Sequence, residues 1–429
     1  MWVWLEKVTQ IFKVKELRSK IVFVFAMLVI FRLAASVPIP GIDSQSLADF
    51  FSRNELFGLL NFFTGGGMAN MSIVMLGLGP YITATIIMQL LTMIFPQLEA
   101  LYKEEGEVGR QKFNQYSRML TVPLAILQSY GMLVLLGQQG ILGELSLFQI
   151  ITAIIVISGG AVFLMWLGEL ISEKGIGNGV SLLIFAGIVS QVPSSIQAMA
   201  GNYTPDKLPS YVMFFVLAIV IIVGVVLVNE GRRNIPVSYA KRVRGNKMYG
   251  GVSTYLPLNV NPAGVIPIIF ALSIMLFPGM VANWFASTGT GWLSSVANFI
   301  SSYLTPGTWF YGITYFILVV LFTYFYTAVT FDPKSIAHNL QKMGGFVPGI
   351  RPGKPTADFL YYILNRVLLF GAIFLGSIAV LPSIVQGVTG IQSFSFIIGG
   401  TALLIVVSVV LETMRQIESQ LVMRDYEGF

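Results

Sequence analysis

The chain has 429 residues, 55% of them hydrophobic and 11% charged, with a net charge of +6 and a mean hydropathy of +0.77. Soluble domains carry about 25% charged residues, so this composition belongs to a membrane protein. The absence of cysteine excludes disulfides and thiolate chemistry, and a single histidine, His338, leaves no cluster for zinc and no basis for a His triad.

A basic leader (Lys7, Lys13, Lys15, Arg18, Lys20) precedes the first of ten apolar segments. Each is near the length of about 20 helical residues that a bilayer core requires. The predicted spans are Ile21–Pro40, Ile73–Phe95, Met119–Leu136, Phe148–Ile171, Val180–Ile196, Tyr211–Val228, Pro262–Phe285, Trp309–Val329, Leu360–Leu381 and Ser393–Leu411. Leu33-Ala-Ala-Ser36 faintly mimics a cleavage site, but Arg32 interrupts the apolar run and the segment reads as a retained first helix.

Charge sorts the loops between two sides. Segments 1–20, 96–118, 172–179, 230–260, 330–358 and 412–429 hold 22 of the 26 Lys and Arg residues. The opposite side holds only Arg53 and Lys207, while Arg32 and Arg366 fall inside spans and read as snorkelling side chains. By the positive-inside bias the rich side is cytoplasmic, with both termini there.

Ten spans with both ends inside divide into two halves of five with opposite orientation, the geometry of an inverted repeat. The expected units are a cytoplasmic segment 1–20, an N-terminal half 21–196, an external hinge loop 197–210, a C-terminal half 211–411 and a cytoplasmic tail 412–429. Gly77-Leu-Gly-Pro-Tyr-Ile82 near the start of the second span matches Gly264-Val-Ile-Pro-Ile-Ile269 in the seventh.

Between the first two spans, Leu56-Phe-Gly-Leu-Leu-Asn-Phe-Phe63 is apolar but too short to cross, and Thr64-Gly-Gly-Gly67 follows. Such a segment either lies on the outer leaflet or enters the membrane as a stopper hinged at the glycines. The Ser172-Glu-Lys-Gly-Ile-Gly-Asn-Gly179 segment lacks the Gly-Lys-Ser/Thr ending of a phosphate loop and reads as a tight turn between helices.

Two cytoplasmic loops read as built structures. Ile235–Ala240 and Gly251–Leu256 flank a Gly245-Asn246 turn, predicting a hairpin with Arg242, Arg244 and Lys247 at its tip. Gly349-Ile-Arg-Pro-Gly-Lys-Pro355 pre-sets its backbone and presents Arg351 and Lys354. Basic loops set topology and touch anionic lipid; projecting arginines also suit docking to RNA phosphate or an acidic protein surface.

Spans 2, 3, 5, 6, 7 and 8 contain no Asp, Glu, Lys, Arg or His, and Glu169 and Glu412 lie near cytoplasmic span ends. That weighs against proton relays and intramembrane proteolysis. Sodium can still be bound by backbone carbonyls, so a sodium-coupled carrier of small solutes stays open, as does a structural scaffold. An apolar conduit sealed by branched aliphatic side chains is the third reading.

Two long segments carry a resemblance: Ser72-Ile-Val-Met-Leu-Gly-Leu-Gly-Pro-Tyr-Ile-Thr-Ala-Thr-Ile-Ile-Met-Gln-Leu-Leu91 and Trp166-Leu-Gly-Glu-Leu-Ile-Ser-Glu-Lys-Gly-Ile-Gly-Asn-Gly-Val-Ser181. Tyr239-Ala-Lys-Arg242, Leu256-Pro-Leu258, Gly349–Gly353 and Gly399-Gly-Thr-Ala-Leu-Leu-Ile405 fit the same pattern. The chain resembles the SecY family of protein-conducting channels from end to end.

The resemblance implies an all-α polytopic membrane protein. Its ten transmembrane helices would form two inverted five-helix halves around a central hourglass pore. Leu78, Ile82, Ile184, Ile188, Ile269 and Ile405 would form the constriction, with Leu78 where many relatives have Ile. A re-entrant plug helix over about 56–71 would carry Leu56, Phe57, Leu59, Leu60, Phe62, Phe63, Gly65, Gly66 and Gly67. Thr83 and Gln128 would face a lateral gate between spans 2–3 and 7–8, where signal sequences and nascent membrane helices leave for lipid. Arg242, Arg244, Lys247, Arg351 and Lys354 would dock the SecA motor or a translating ribosome. SecE and SecG are the implied membrane partners, unfolded preproteins the cargo, and the bacterial cytoplasmic membrane the location. No catalytic residue, metal or cofactor is expected.

Overall fold

The computed structural model describes residues 14–39, 64–138 apart from 65 and 69, 146–201, 208–239, 253–275, 308–389 and 400–427, the short stretches 242–244 and 247–249, and a few isolated positions. Its helices are α1 Lys15–Ser36, α2 Gly79–Ile94, α3 Pro96–Lys103, α4 Gly106–Gln138, α5 Leu147–Lys174, α6 Gly179–Gly201, α7 Leu208–Glu230, α8 Ile266–Met275, α9 Trp309–Thr330, α10 Pro333–Lys342, α11 Lys354–Thr389 and α12 Gly400–Glu427. Each predicted span contains one of them: in order α1, α2, α4, α5, α6, α7, α8, α9, α11 and α12. Six candidate spans among the described residues are long and apolar enough to cross a membrane by themselves, and the bent pair α2–α3 makes a seventh.

Several boundaries differ from the sequence reading, each for a local reason. The second span becomes helical only at Gly79, because Gly77 at φ +58° ends a series of turns before it. Segment 96–118 is helical rather than loop: Pro96 interrupts the hydrogen bonding of α2, the chain bends by 111°, and α3 starts there. The linker between halves narrows, since α6 runs to Gly201 and α7 begins at Leu208. Helix α12 continues past the tenth predicted span and runs to Glu427.

The two halves repeat. Gly77 (φ +58°) and Gly264 (φ +62°) each precede by two residues a helix whose second residue is proline, Pro80 in α2 and Pro267 in α8. In the last span of each half, Gly179-Val-Ser-Leu-Leu-Ile184 opens α6 and Gly400-Thr-Ala-Leu-Leu-Ile405 opens α12. Packing repeats as well. Helix α1 contacts α5 and α6 as α7 contacts α11 and α12; α4 meets α5 as α9 meets α11; and α5 meets α6 as α11 meets α12. Across the halves, α6 packs on α12.

The segments 230–260 and 330–358 add strands, so the all-helical expectation holds for the spans only. Strand β1 (Arg232–Tyr239) pairs antiparallel with β4 (Ser253–Asn259), Ile235 opposite Leu256. Beyond them β2 (Arg242–Arg244) pairs antiparallel with β3 (Lys247–Tyr249), and the predicted turn at Gly245-Asn246 lies outside the described residues. Strand β5 (Gly345–Phe346) pairs with β1, Ser238 opposite Phe346, giving the order β4-β1-β5. Ile235, Leu258, Val347 and Leu360 close a small core beneath this sheet. The 230–260 and 330–358 loops are therefore one body.

Candidate channel constriction

Four isoleucines each stand five residues beyond a repeated glycine: Ile82 after Gly77, Ile269 after Gly264, Ile184 after Gly179 and Ile405 after Gly400. The glycines are placed where a side chain could not be. A Cβ on Gly77 would lie 3.0 Å from Thr64 Cγ2, at a φ that L residues avoid. A Cβ on Gly179 would strike the Gly168 carbonyl, so glycine lets the start of α6 close on α5.

One apolar cluster holds all six predicted constriction residues. Leu78, Ile184, Ile188 and Ile405 are buried, and Ile82 and Ile269 are half-buried against them. These six side chains carry no acid, base or nucleophile; what branched aliphatic walls can do chemically is exclude water from a narrow path while remaining deformable. Sequence reasoning missed two equivalents. Val265 matches Leu78, one residue past its glycine, and Val409 matches Ile188, nine past; both are buried in the same cluster. The Gly77 and Gly264 match already contained the signal for Val265, and the Gly179–Ile184 and Gly400–Ile405 repeat is the one that could have found Val409.

Of the predicted plug residues, Leu56, Phe57, Leu59, Leu60, Phe62, Phe63 and Gly65 lie outside the described residues. Gly66 and Gly67 are described, and both are confined. Gly66 has φ +87°, and the Gln191 side-chain amide fills the place of its Cβ. A Cβ on Gly67 would lie 2.9 Å from Ser72 Oγ and 3.1 Å from the Thr64 carbonyl. The chain beyond is stapled to the end of the first span: Ile39 N donates to Met71 O at 2.8 Å and Ile73 N to Val37 O at 3.0 Å. Met68, Met71 and Met75 are buried with Met132, Leu136 and Ile157 in a second apolar cluster.

Arg32 does more than snorkel. Its Nη1 donates to Ser190 Oγ at 3.3 Å, joining the first span to the fifth beside Gly66. Arg366 stacks its guanidinium 4.4 Å from the centre of the Tyr362 ring, one turn back on α11.

The predicted gate pair converges on one residue. Thr83 Oγ1 donates to the Gly79 carbonyl at 2.9 Å, and Gln128 Oε1 lies 3.8 Å from where a Gly79 Cβ would be. The Thr83 hydroxyl is thus spent on its own helix. In the other half, Phe270 of α8 meets Phe322 and Tyr326 of α9 edge-on.

The docking candidates lie on the 230–260 and 330–358 segments. Arg242 pairs in register with Tyr249 and Arg244 with Lys247 at the hairpin tip. Arg351 and Lys354 are exposed, without an ion pair among the described residues. Gly349 (φ +84°) and Gly353 (φ +95°) shape the turn that bears Arg351, whose carbonyl accepts from Thr356 Oγ1 at 2.8 Å.

The SecY family model matches residues 72–414. The protein translocase subunit SecY of Corynebacterium glutamicum is 45% identical over 441 residues, covering 98% of this chain and 99% of that protein. Its counterpart in Streptomyces galbus is 44% identical, covering 97% and 98%. A solved protein-conducting channel superposes with a TM-score of 0.62 at 19% identity over 92% of this chain and 91% of that one. Sec61 from a canine ribosome-channel complex gives 0.58 at 19%, with the same coverage. The chain belongs to the SecY family: it is a protein translocase channel subunit that conducts polypeptides across a membrane, and not an enzyme.

Proposed function

We propose that unfolded polypeptide passes through a collar made by Leu78, Ile82, Ile184, Ile188, Ile269 and Ile405. The supporting observation is their gathering in one apolar cluster from two inverted halves. At rest the collar seals by dewetting, and the segment from about 56 to 71 blocks its outer side, pivoting at Gly65–Gly67 while Met68–Met71 stay anchored. The halves part about the 202–207 linker, and apolar segments leave for lipid between spans 2–3 and 7–8, near Thr83 and Gln128. SecE and SecG complete the channel. Arg351, Lys354 and the hairpin tip at Arg242, Arg244 and Lys247 receive SecA or a ribosome in the bacterial cytoplasmic membrane. Relatives within ribosome-channel complexes support the second of these.

The chain has no cysteine of its own, which makes the test direct. A cysteine at Ile184 and another in a preprotein arrested midway should form a disulfide in membranes. Absence of that crosslink, and of crosslinks from Leu78 and Ile269, while SecA turns over would place the path of the polypeptide outside this collar.

A further inference from the structure

A hydrogen bond joins the repeated halves where α6 begins: Gly177 N donates to Gln416 Oε1 of α12 at 2.7 Å. Each partner is held firmly within its own half. Gly179 N donates to Ser172 Oγ at 2.8 Å, and Asn178 Oδ1 accepts from Val180 N at 3.1 Å and Ser181 N at 3.3 Å, which fixes the turn between α5 and α6. Gly177 takes φ +90° in that turn. A Cβ there would lie 3.1 Å from Leu182 Cδ1 and 3.4 Å from Thr413 Oγ1, so the bare backbone comes close to α12. On the other side stands Arg415, the neighbour of Gln416. Its Nε and Nη2 donate to Glu230 Oε1 at 3.0 and 2.7 Å, and Nη2 also to the Asn229 carbonyl at 2.8 Å, which ties α12 to α7.

The bond lies at one end of α6, and the 202–207 linker to α7 leaves from the other. The 23 residues of α6 set them about 35 Å apart. Between them, Ile184 and Ile188 of α6 share the apolar cluster with Ile405 and Val409 of α12. Three attachments of one half to the other are therefore strung along a single helix. A rotation about that line breaks none of them and moves most what stands farthest away. Helix α4 packs on α5 rather than α6, and α9 on α11 rather than α12, so helices flanking the proposed gate stand a layer away from the line. Apolar contacts slide, whereas a hydrogen bond weakens steeply with distance and angle. The Gly177–Gln416 bond is thus the directional element that keeps α6 from tilting about its linker end.

We propose that the Gly177–Gln416 bond is a pivot of channel opening: it holds while the halves part and, with the 202–207 linker, makes α6 the pin about which they turn. Gln416 is a positioning residue for translocation and has no contact with the path itself. The pivot rests on the reading that the halves part to let polypeptide through the collar.

The lack of native cysteine permits a covalent version of the pivot. The 3.4 Å between a Gly177 Cβ and Thr413 Oγ1 is within reach of a disulfide. Gly177→Cys with Thr413→Cys is therefore made in the full channel complex, and preprotein transport into membrane vesicles is compared before and after reduction. The strain of a side chain at φ +90° is present in both forms and cancels. A pivot leaves transport by the oxidised and reduced forms equal. Transport blocked by oxidation and restored by reduction would make the contact a latch that must open, and would overturn the proposal; so would a pair that cannot be oxidised. Gln416→Leu removes the acceptor at similar size and should lower transport roughly two- to tenfold, the range of one neutral hydrogen bond. Adding the oxidised cysteine pair should recover that loss. Unchanged or increased transport in Gln416→Leu, or a loss that the disulfide fails to recover, would overturn the pivot too. The collar reading fails separately, by the absence of any crosslink from Ile184→Cys to an arrested preprotein in the parent background.

Discussion

Ile82 and Ile269 hold the same place in two repeated helices: each is the fifth residue after a glycine of positive φ, with a proline between. Both are half-buried in one cluster. Substitution by asparagine should therefore have matched effects. Placing an amide among aliphatic walls costs about 1–3 kcal/mol in the sealed state, a shift of roughly 5- to 150-fold toward a wetted pore. Ion conductance of the reconstituted resting channel should rise in Ile82→Asn and Ile269→Asn alike. A leak in one and not the other would mean that the structural equivalence does not extend to the seal.

Val265 and Val409 extend the same argument to residues absent from the expected ring. They are the equivalents of Leu78 and Ile188 and equally buried. Val409→Asn should leak about as much as Ile188→Asn under the same conductance assay. A tight Val409→Asn channel beside a leaky Ile188→Asn channel would confine the seal to the six residues first named.

Gly66 and Gln191 make a sharper test of the plug base. At φ +87° any L side chain at position 66 is strained, by about 1–2 kcal/mol, and its Cβ would also meet the Gln191 amide. Gly66→Ala should loosen the seated plug and raise resting ion leak several-fold. Adding Gln191→Ala removes the collision but not the backbone strain, so the double variant should recover only part of the loss. Full recovery would assign the whole effect to crowding, and no leak in Gly66→Ala would remove this glycine from the hinge.

The long apolar helices were legible in the sequence because lipid imposes extended uncharged runs of helical length. That six aliphatic residues named through family motifs share one apolar cluster was reachable from the sequence, as was the pairing of Gly77 with Gly264, whose positive φ favours glycine. Other features were hidden for physical reasons. The bend at Pro96 falls at a span end, where a proline reads as an ordinary stop. The joining of β5 to β1 depends on two residues, Gly345 and Phe346, whose pairing is tertiary and has no local pattern. The bond between Gly177 and Gln416 emerges only once α6 and α12 are brought together.

That β1–β5 joint carries its own expectation. A Cβ on Gly345 would lie 3.0 Å from the Tyr239 ring and 3.3 Å from the Leu340 carbonyl. Gly345→Val should therefore separate the two cytoplasmic loops while leaving the spans intact, at a cost of about 1–3 kcal/mol typical of overpacking. Limited proteolysis from the cytoplasmic side should show faster cleavage within 330–358, with helicity unchanged. Unaltered protease resistance would show that β5 can shift without freeing the loop.

Arg351 separates charge from shape at the docking surface. It is exposed on a turn fixed by Gly349, Gly353 and the bond from Thr356 Oγ1 to its carbonyl. Arg351→Glu changes none of these, so stability should move by no more than about 0.5 kcal/mol. Loss of a charge-assisted contact of about 1.5–3 kcal/mol should weaken the proposed motor docking roughly 10- to 150-fold. Thr356→Val keeps the charge and releases the turn, which should weaken docking less and leave its salt dependence unchanged. SecA-driven secretion in membrane vesicles, measured over a salt series, distinguishes the two. If Arg351→Glu secretes like the parent chain, the loop has no part in docking; if Thr356→Val is the more severe variant, the turn's shape and not the guanidinium is what the partner recognises.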